Sequence, residues 1–143
     1  MEWMVQTLLF ILGGSGYCAI ELIWRGWTHW TMFLLGGLCF VLMGHLQQTK
    51  PRLSRAGQLI WASCICTFAE LLFGLVFNRD WRIWDYRSCP MNWGGQICLG
   101  YSLLWIPLSA AALELHRLCR YRIFMLVSEF HGILGKKRKD DAL

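Results

Sequence analysis

Apolar residues in this chain run in long, nearly unbroken blocks, separated by short stretches rich in charge and tryptophan. The blocks cover 5–24, 31–46, 58–77 and 97–115, each near the roughly 17 to 25 residues that a helix needs to cross a bilayer. No water reaches that depth to satisfy backbone amides, so isolated apolar runs of this length predict helices. The expected fold class is all-α: an integral membrane bundle of four transmembrane helices with an amphipathic C-terminal helix, forming a single membrane domain over 1–143. The first block reads as a span rather than a cleaved leader. It lacks a basic n-region, and Glu21, Trp24 and Arg25 stand where small residues would mark a cleavage site.

Tryptophan placement agrees. Trp3, Trp24, Trp27 and Trp30 flank the first two blocks, and Trp81, Trp84 and Trp93 lie between the third and fourth, as in interfacial aromatic belts. The net charge of +5 would point to nucleic acid in a soluble protein, but the basic residues here sort by loop. Lys50, Arg52 and Arg55 lie between blocks two and three, and Arg117, Arg120, Arg122 and the run 136–139 follow block four; only Arg25, Arg79, Arg82 and Arg87 fall on the other side. The positive-inside tendency then puts both termini and the middle loop in the cytoplasm and 78–96 outside, with no nucleic-acid partner. So uneven a distribution also argues against a dual-topology exporter or halide channel of similar size. The cysteine count is odd, and the spacing is not that of a zinc site. Cys64 and Cys66 should point to different helix faces, and a disulfide between Cys89 and Cys98 is left open. His29, His45, His116 and His131 share no ligand spacing and read as interfacial histidines. No metal, cofactor or catalytic motif is expected.

Two carboxylates fall inside apolar blocks: Glu21 and Glu70. An ionised carboxylate facing lipid costs at least several kcal/mol, so each should face the bundle interior, be paired or be protonated. On the third helix Ser63, Cys66 or Thr67, Glu70, Gly74 and Asn78 recur at three- and four-residue spacing and form one stripe; Gly13, Gly16 or Tyr17, Glu21 and Arg25 do so on the first. A structural role would pair Glu21 with Arg25 and let Glu70 bond serines or Asn92. A functional role makes the carboxylates a proton or cation site. The candidate pathway residues are Glu21, Glu70, Arg25, Tyr17 and Asn78. The sequence 19–23 also echoes 68–72, which suggests a parallel duplication of helix pairs.

The outer segment 78–96 is too rich in aromatics and paired charges for a plain linker, and Pro90 with Gly94-Gly95 permits a tight turn back to the fourth helix. Its run Trp84-Asp85-Tyr86, followed by Pro90, Asn92, Gly95-Gln96-Ile97-Cys98-Leu99 and Ser102-Leu103-Leu104-Trp105, resembles the bacterial family called Putative ABC-transporter type IV. Gly16-Tyr17, Glu21-Leu22, Arg25-Gly26, His29, Met32-Phe33 and Gly36-Gly37 resemble that family's first helix pair. Arg87 departs from the pattern, where serine is more usual, as do Trp93 and Gly94, where aliphatic residues stand. The resemblance implies a multi-pass protein of a bacterial cell membrane and a transporter component, with Trp84, Asp85, Tyr86, Pro90, Asn92 and Gln96 as its outer motif. No phosphate-binding Gly-rich loop is present, so any ATPase would be a separate subunit.

Beyond Arg117, residues Ile123, Phe124, Leu126, Val127, Phe130, Ile133 and Leu134 form one apolar helix face, and the basic run 136–139 would meet anionic lipid. Three functions stay open. One is a transporter or channel subunit that oligomerises to enclose a polar, proton- or cation-coupled site. Another is a non-catalytic scaffold or regulatory subunit of a larger membrane complex. The least supported is a membrane enzyme using Glu70, Asp85 or His29.

Overall fold

Helices form where the apolar blocks lie, and two of them carry identifiable caps. The computed structural model describes residues 1–49 and 52–140, with side chains left out at 131, 132 and 134–140. Lys50 and the side chains of the basic run 136–139 therefore lie outside the described residues. Helix α1 (Glu2–Arg25) ends where Gly26 turns left-handed at φ 77° and its N–H caps the Leu22 carbonyl, a conformation that costs glycine nothing. After a short turn, α2 (Trp30–Thr49) returns along α1. Ser54 caps α3 (Arg55–Phe77), its hydroxyl accepting from the Gly57 N–H at 3.1 Å.

Between α3 and α4 (Leu99–Asp140), the chain makes a small antiparallel hairpin of β1 (Asn92–Trp93) and β2 (Ile97–Cys98), with Asn92 opposite Cys98 and Trp93 opposite Ile97. Gly94 and Gly95 turn it, both at positive φ, as a two-glycine turn allows. The expected tight return is present. The expected start of the fourth helix is not: Ile97 and Cys98 are held in the hairpin, and α4 begins at Leu99.

A second correction concerns the tail. No separate amphipathic helix follows position 115, because α4 continues unbroken for 42 residues, roughly 63 Å at 1.5 Å per residue. Nothing from His116 to Arg122 breaks a helix, and ion pairs of Glu114 with Arg55 at 2.8 Å and of Arg120 with Glu2 at 2.6 Å brace it there. Of the expected apolar face, Val127 is buried, whereas Phe124, Leu126, Phe130 and Ile133 are exposed. Among the described residues α1, α2 and α3 are long and apolar enough to cross a membrane. Helix α4 is not in that group.

Helix α2 is the centre of the bundle and touches the other three. Its Met32, Leu35, Cys39 and Met43 pack with Cys66 and Ala69 of α3 and Leu113 of α4, while Phe40 joins Val5, Leu9 and Val127 in a second cluster. Glycines let α1 and α2 approach closely. A Cβ on Gly13 would meet the Phe40 side chain, one on Gly36 would meet Tyr17, and one on Gly37 would lie 2.7 Å from the Phe10 carbonyl oxygen. Small residues are thus consumed inside the bundle as packing contacts. Cys64 is exposed and Cys66 buried, on different faces as expected.

Gly37→Ala is expected to destabilise the protein by roughly 1–3 kcal/mol, the usual cost of overpacking. Gly16→Ala, where no atom lies within 4 Å of the added Cβ, should be near neutral. Thermal unfolding of both variants in lipid nanodiscs measures the difference; equal melting would refute the close α1–α2 approach.

Candidate functional site

The site is placed by the loop, and the loop is placed by one amide pair. Asn78 ends α3 fully buried. Its Nδ2 donates to the Trp84 carbonyl at 2.6 Å and to Gln96 Oε1 at 3.1 Å, and its Oδ1 accepts from the Ile83 N–H at 2.8 Å. Gln96 Nε2 returns a bond to the Asn78 carbonyl at 3.0 Å, and the Gln96 carbonyl accepts from the Trp84 indole at 2.8 Å. Buried polar groups need such partners, and here each amide supplies the other's. Gly74, one turn earlier, leaves the room that the Gln96 side chain fills.

This arrangement sets Trp84 and Tyr86 over a cavity of about 390 Å³ walled by all four helices and the loop. Glu21, Arg25 and Tyr17 line it from α1, Glu70 from α3, and Tyr101 and Trp105 from α4. Glu70 is 4% exposed. Its Oε1 accepts from the Tyr86 hydroxyl at 2.9 Å and its Oε2 from the Trp105 indole at 3.2 Å. Burial, and then the Glu70 carboxylate, hold the Tyr86 phenol above its ordinary value, which keeps it the donor. Glu21 differs: Arg25 Nη2 pairs with its Oε2 at 2.5 Å, and the Thr28 hydroxyl donates to the same oxygen at 3.1 Å. The other arm of Arg25 donates to the Ile83 carbonyl at 2.5 Å, joining α1 to the loop, and the guanidinium lies over the Trp27 ring. One carboxylate thus meets a cation, and the other meets two neutral donors.

Four of the five candidate pathway residues, Glu21, Glu70, Arg25 and Tyr17, share this cavity; Asn78 lies in the loop core instead, its amide fully engaged. Of the outer motif, Trp84 and Tyr86 reach the cavity. Asp85, Pro90 and Asn92 are exposed. Asp85 forks onto Arg87 at 2.7 Å, Arg87 lies over Trp81, and Asn92 closes the hairpin by accepting from Gly95 N–H and donating to the Cys89 carbonyl. Gln96 is buried against Asn78. Glu70 bonds neither serine nor Asn92, contrary to that expectation, because Tyr86 and Trp105 reach it first. Tyr101 was missed, although it stands one turn before Trp105, a spacing that puts both rings on one face. The third-helix stripe is buried throughout at Ser63, Cys66, Glu70, Gly74 and Asn78. Cys89 and Cys98 are free thiols that adjoin, and burial followed by its neighbour pushes the Cys89 thiol up. Among the described residues no three His, Cys, Asp or Glu side chains stand together as a metal site.

A family model described as Putative ABC-transporter type IV matches residues 8–134. The chain belongs to this family. The match takes in most of α1, all of α2 and α3, the loop and most of α4, so the type IV region contains the whole cavity. Neither the curated proteins nor the solved structures gave a match. Family membership and three membrane-length apolar helices make this a membrane protein.

Asn78→Ala would strand the Ile83 N–H and the Trp84 and Gln96 groups, at about 1–3 kcal/mol for each buried group left unpaired. A lower melting temperature and faster proteolysis within 78–98 are expected, against near-wild-type behaviour for the exposed Arg79→Ala; matching behaviour of the two would refute the hub. Arg87 holds the Asp85 carboxyl at about 2. Because this is a depressed value, the pair's contribution is complete above the unfolded carboxyl's pKa, near 4, and is lost as pH falls toward 2. A carboxyl-detected NMR titration checks this; a midpoint near 4 would contradict the fork.

Proposed function

We propose that the protein is a subunit of a membrane transporter or channel whose working site is the Glu21–Glu70 cavity. The observation that carries this reading is Glu70 itself: a carboxylate 4% exposed, bonded only to a phenol and an indole in the described contacts, in a cavity whose other carboxylate already has its cation. A buried ionisable group with that environment binds a proton or a cation in exchange for the solvent it has lost. Tyr17, Arg25, Trp84 and Tyr86 shape the site, and Asp85, Asn92 and Gln96 belong to the loop beside it.

In this reading the first half of α4 makes a fourth crossing beside the three apolar helices. The N-terminus and the far end of α4 face the cytoplasm of a bacterial cell, and the hairpin loop faces outward, following the distribution of basic residues. Four helices enclose little space, so the working unit is an oligomer or a complex with another membrane protein. The family's name makes a separate ATPase a candidate partner, and this chain supplies no nucleotide loop of its own. A regulatory subunit is the second reading. It is favoured by the exposed Phe124, Leu126, Phe130 and Ile133 on the extended part of α4, a surface a partner could cover.

Proton and cation flux into liposomes containing the purified protein tests the proposal. Wild type should conduct, and Glu70→Gln should lower the rate by about tenfold or more, as loss of a buried functional charge does. Glu21→Gln should lower it too, by freeing Arg25. Flux unchanged by Glu70→Gln would sink the transport reading and leave the regulatory one.

A further inference from the structure

The cavity has a substrate class written in its walls. Tyr17 stacks on Trp105 with centroids 5.7 Å apart, and Tyr86 stacks on Tyr101 at 4.5 Å. Glu70 bonds one ring of each pair, Trp105 and Tyr86, so a buried carboxylate sits between two aromatic stacks. Ring faces attract cations, most strongly where water is excluded, and aromatic boxes are the common way of holding substituted ammonium groups. A small metal ion would want several oxygens, and the described residues offer no such set. The one cation lining the cavity, Arg25, already has its charge offset by Glu21, and its two terminal nitrogens are engaged by Glu21 and the Ile83 carbonyl; only its Nε has no partner among the described residues.

A second cavity of about 180 Å³ shares Tyr17, Ile20, Trp105 and Leu108 with the first. Its remaining walls include Leu12 and Gly16 of α1 and Ala111 and Leu115 of α4, and it contains no charged residue. Leu12, Ile20 and Leu115 are exposed on the bundle's flank, so this chamber opens sideways, where acyl chains would lie, rather than along the helix axes. An aromatic box with a carboxylate therefore adjoins an apolar chamber reached from the side, with Tyr17, Ile20, Trp105 and Leu108 as common walls.

We propose that the site takes a single-chain amphiphilic organic cation, its ammonium head between the two aromatic stacks at Glu70 and its apolar tail in the chamber beside Gly16. This rests on the transport reading for what the site does with the ligand, but binding stands on its own geometry. The ligand reaches the site laterally from the membrane, and the Tyr17 and Trp105 rings form the step between head and tail.

Binding of radiolabelled decyltrimethylammonium to the full chain in lipid nanodiscs, measured in excess over empty nanodiscs, tests it without any flux assay. One saturable class of site is expected. Glu70→Gln should weaken binding roughly tenfold, about the effect of one favourable charge contact. Gly16→Leu, which fills open space and spares the head site, should weaken the decyl probe but leave competition by tetramethylammonium unchanged. Decyl sulfate and dodecylphosphocholine should not compete. Equal competition by the sulfate would show a site indifferent to charge, and equal competition by the phosphocholine would show a lipid-headgroup site; either overturns the proposal. So would the absence of saturable binding, or binding that survives Glu70→Gln. Probe binding with a flux that Glu70→Gln leaves unchanged would sink the transport reading alone, whereas flux without probe binding would sink only this assignment.

Discussion

Two buried amides, Asn78 and Gln96, decide where everything at one end of the bundle goes. Each satisfies the other, and between them they bind the backbone at Ile83 and Trp84. An amide at that depth with one partner missing would cost more than most single contacts contribute, so the loop has little freedom to sit elsewhere. Trp84 and Tyr86 are thereby set over Glu70, and the Ile83 carbonyl is presented to Arg25. The Tyr86 contact of Glu70 follows from the loop fold.

The carboxylate environments separate two residues that look alike in sequence. Glu21 and Glu70 sit in similar pentapeptides within the apolar stretch of a helix, Glu70 buried and Glu21 half-buried. Arg25 stands one turn beyond Glu21 and neutralises it; the residue one turn beyond Glu70 is Gly74, which has no side chain and whose space Gln96 takes. The same spacing that gives α1 an ion pair gives α3 a docking point for the loop. Glu70 is left to aromatic donors from elsewhere.

Block length, tryptophan placement and the three-four stripe made the first three helices and the buried face of α3 legible in the sequence, because desolvation of backbone and carboxylate leaves few alternatives. Gly94-Gly95 announced the turn for the same reason, since few residues other than glycine accept two successive positive φ values. The contacts of Glu70 were not legible. Tyr86 is sixteen positions away and Trp105 thirty-five, and nothing local specifies either. The extent of α4 was missed for another reason. A change from apolar to basic composition was read as an element boundary, yet residues 116–122 are all compatible with a helix, and charge alone does not end one.

Glycine explains both a close helix contact in the bundle and an open space beside it. Gly13, Gly36 and Gly37 are each met by a large side chain or a carbonyl across the α1–α2 contact, so their missing Cβ atoms become close packing. Gly16, on the same helix and only one turn from Gly13, is met by nothing. Across from it α4 presents Ala111 and Ala112, also small, in place of a phenylalanine. Smallness opposed by bulk closes the gap between two helices; smallness opposed by smallness keeps it open. The apolar chamber exists because α1 turns its glycines toward two different partners, and only α2 fills them.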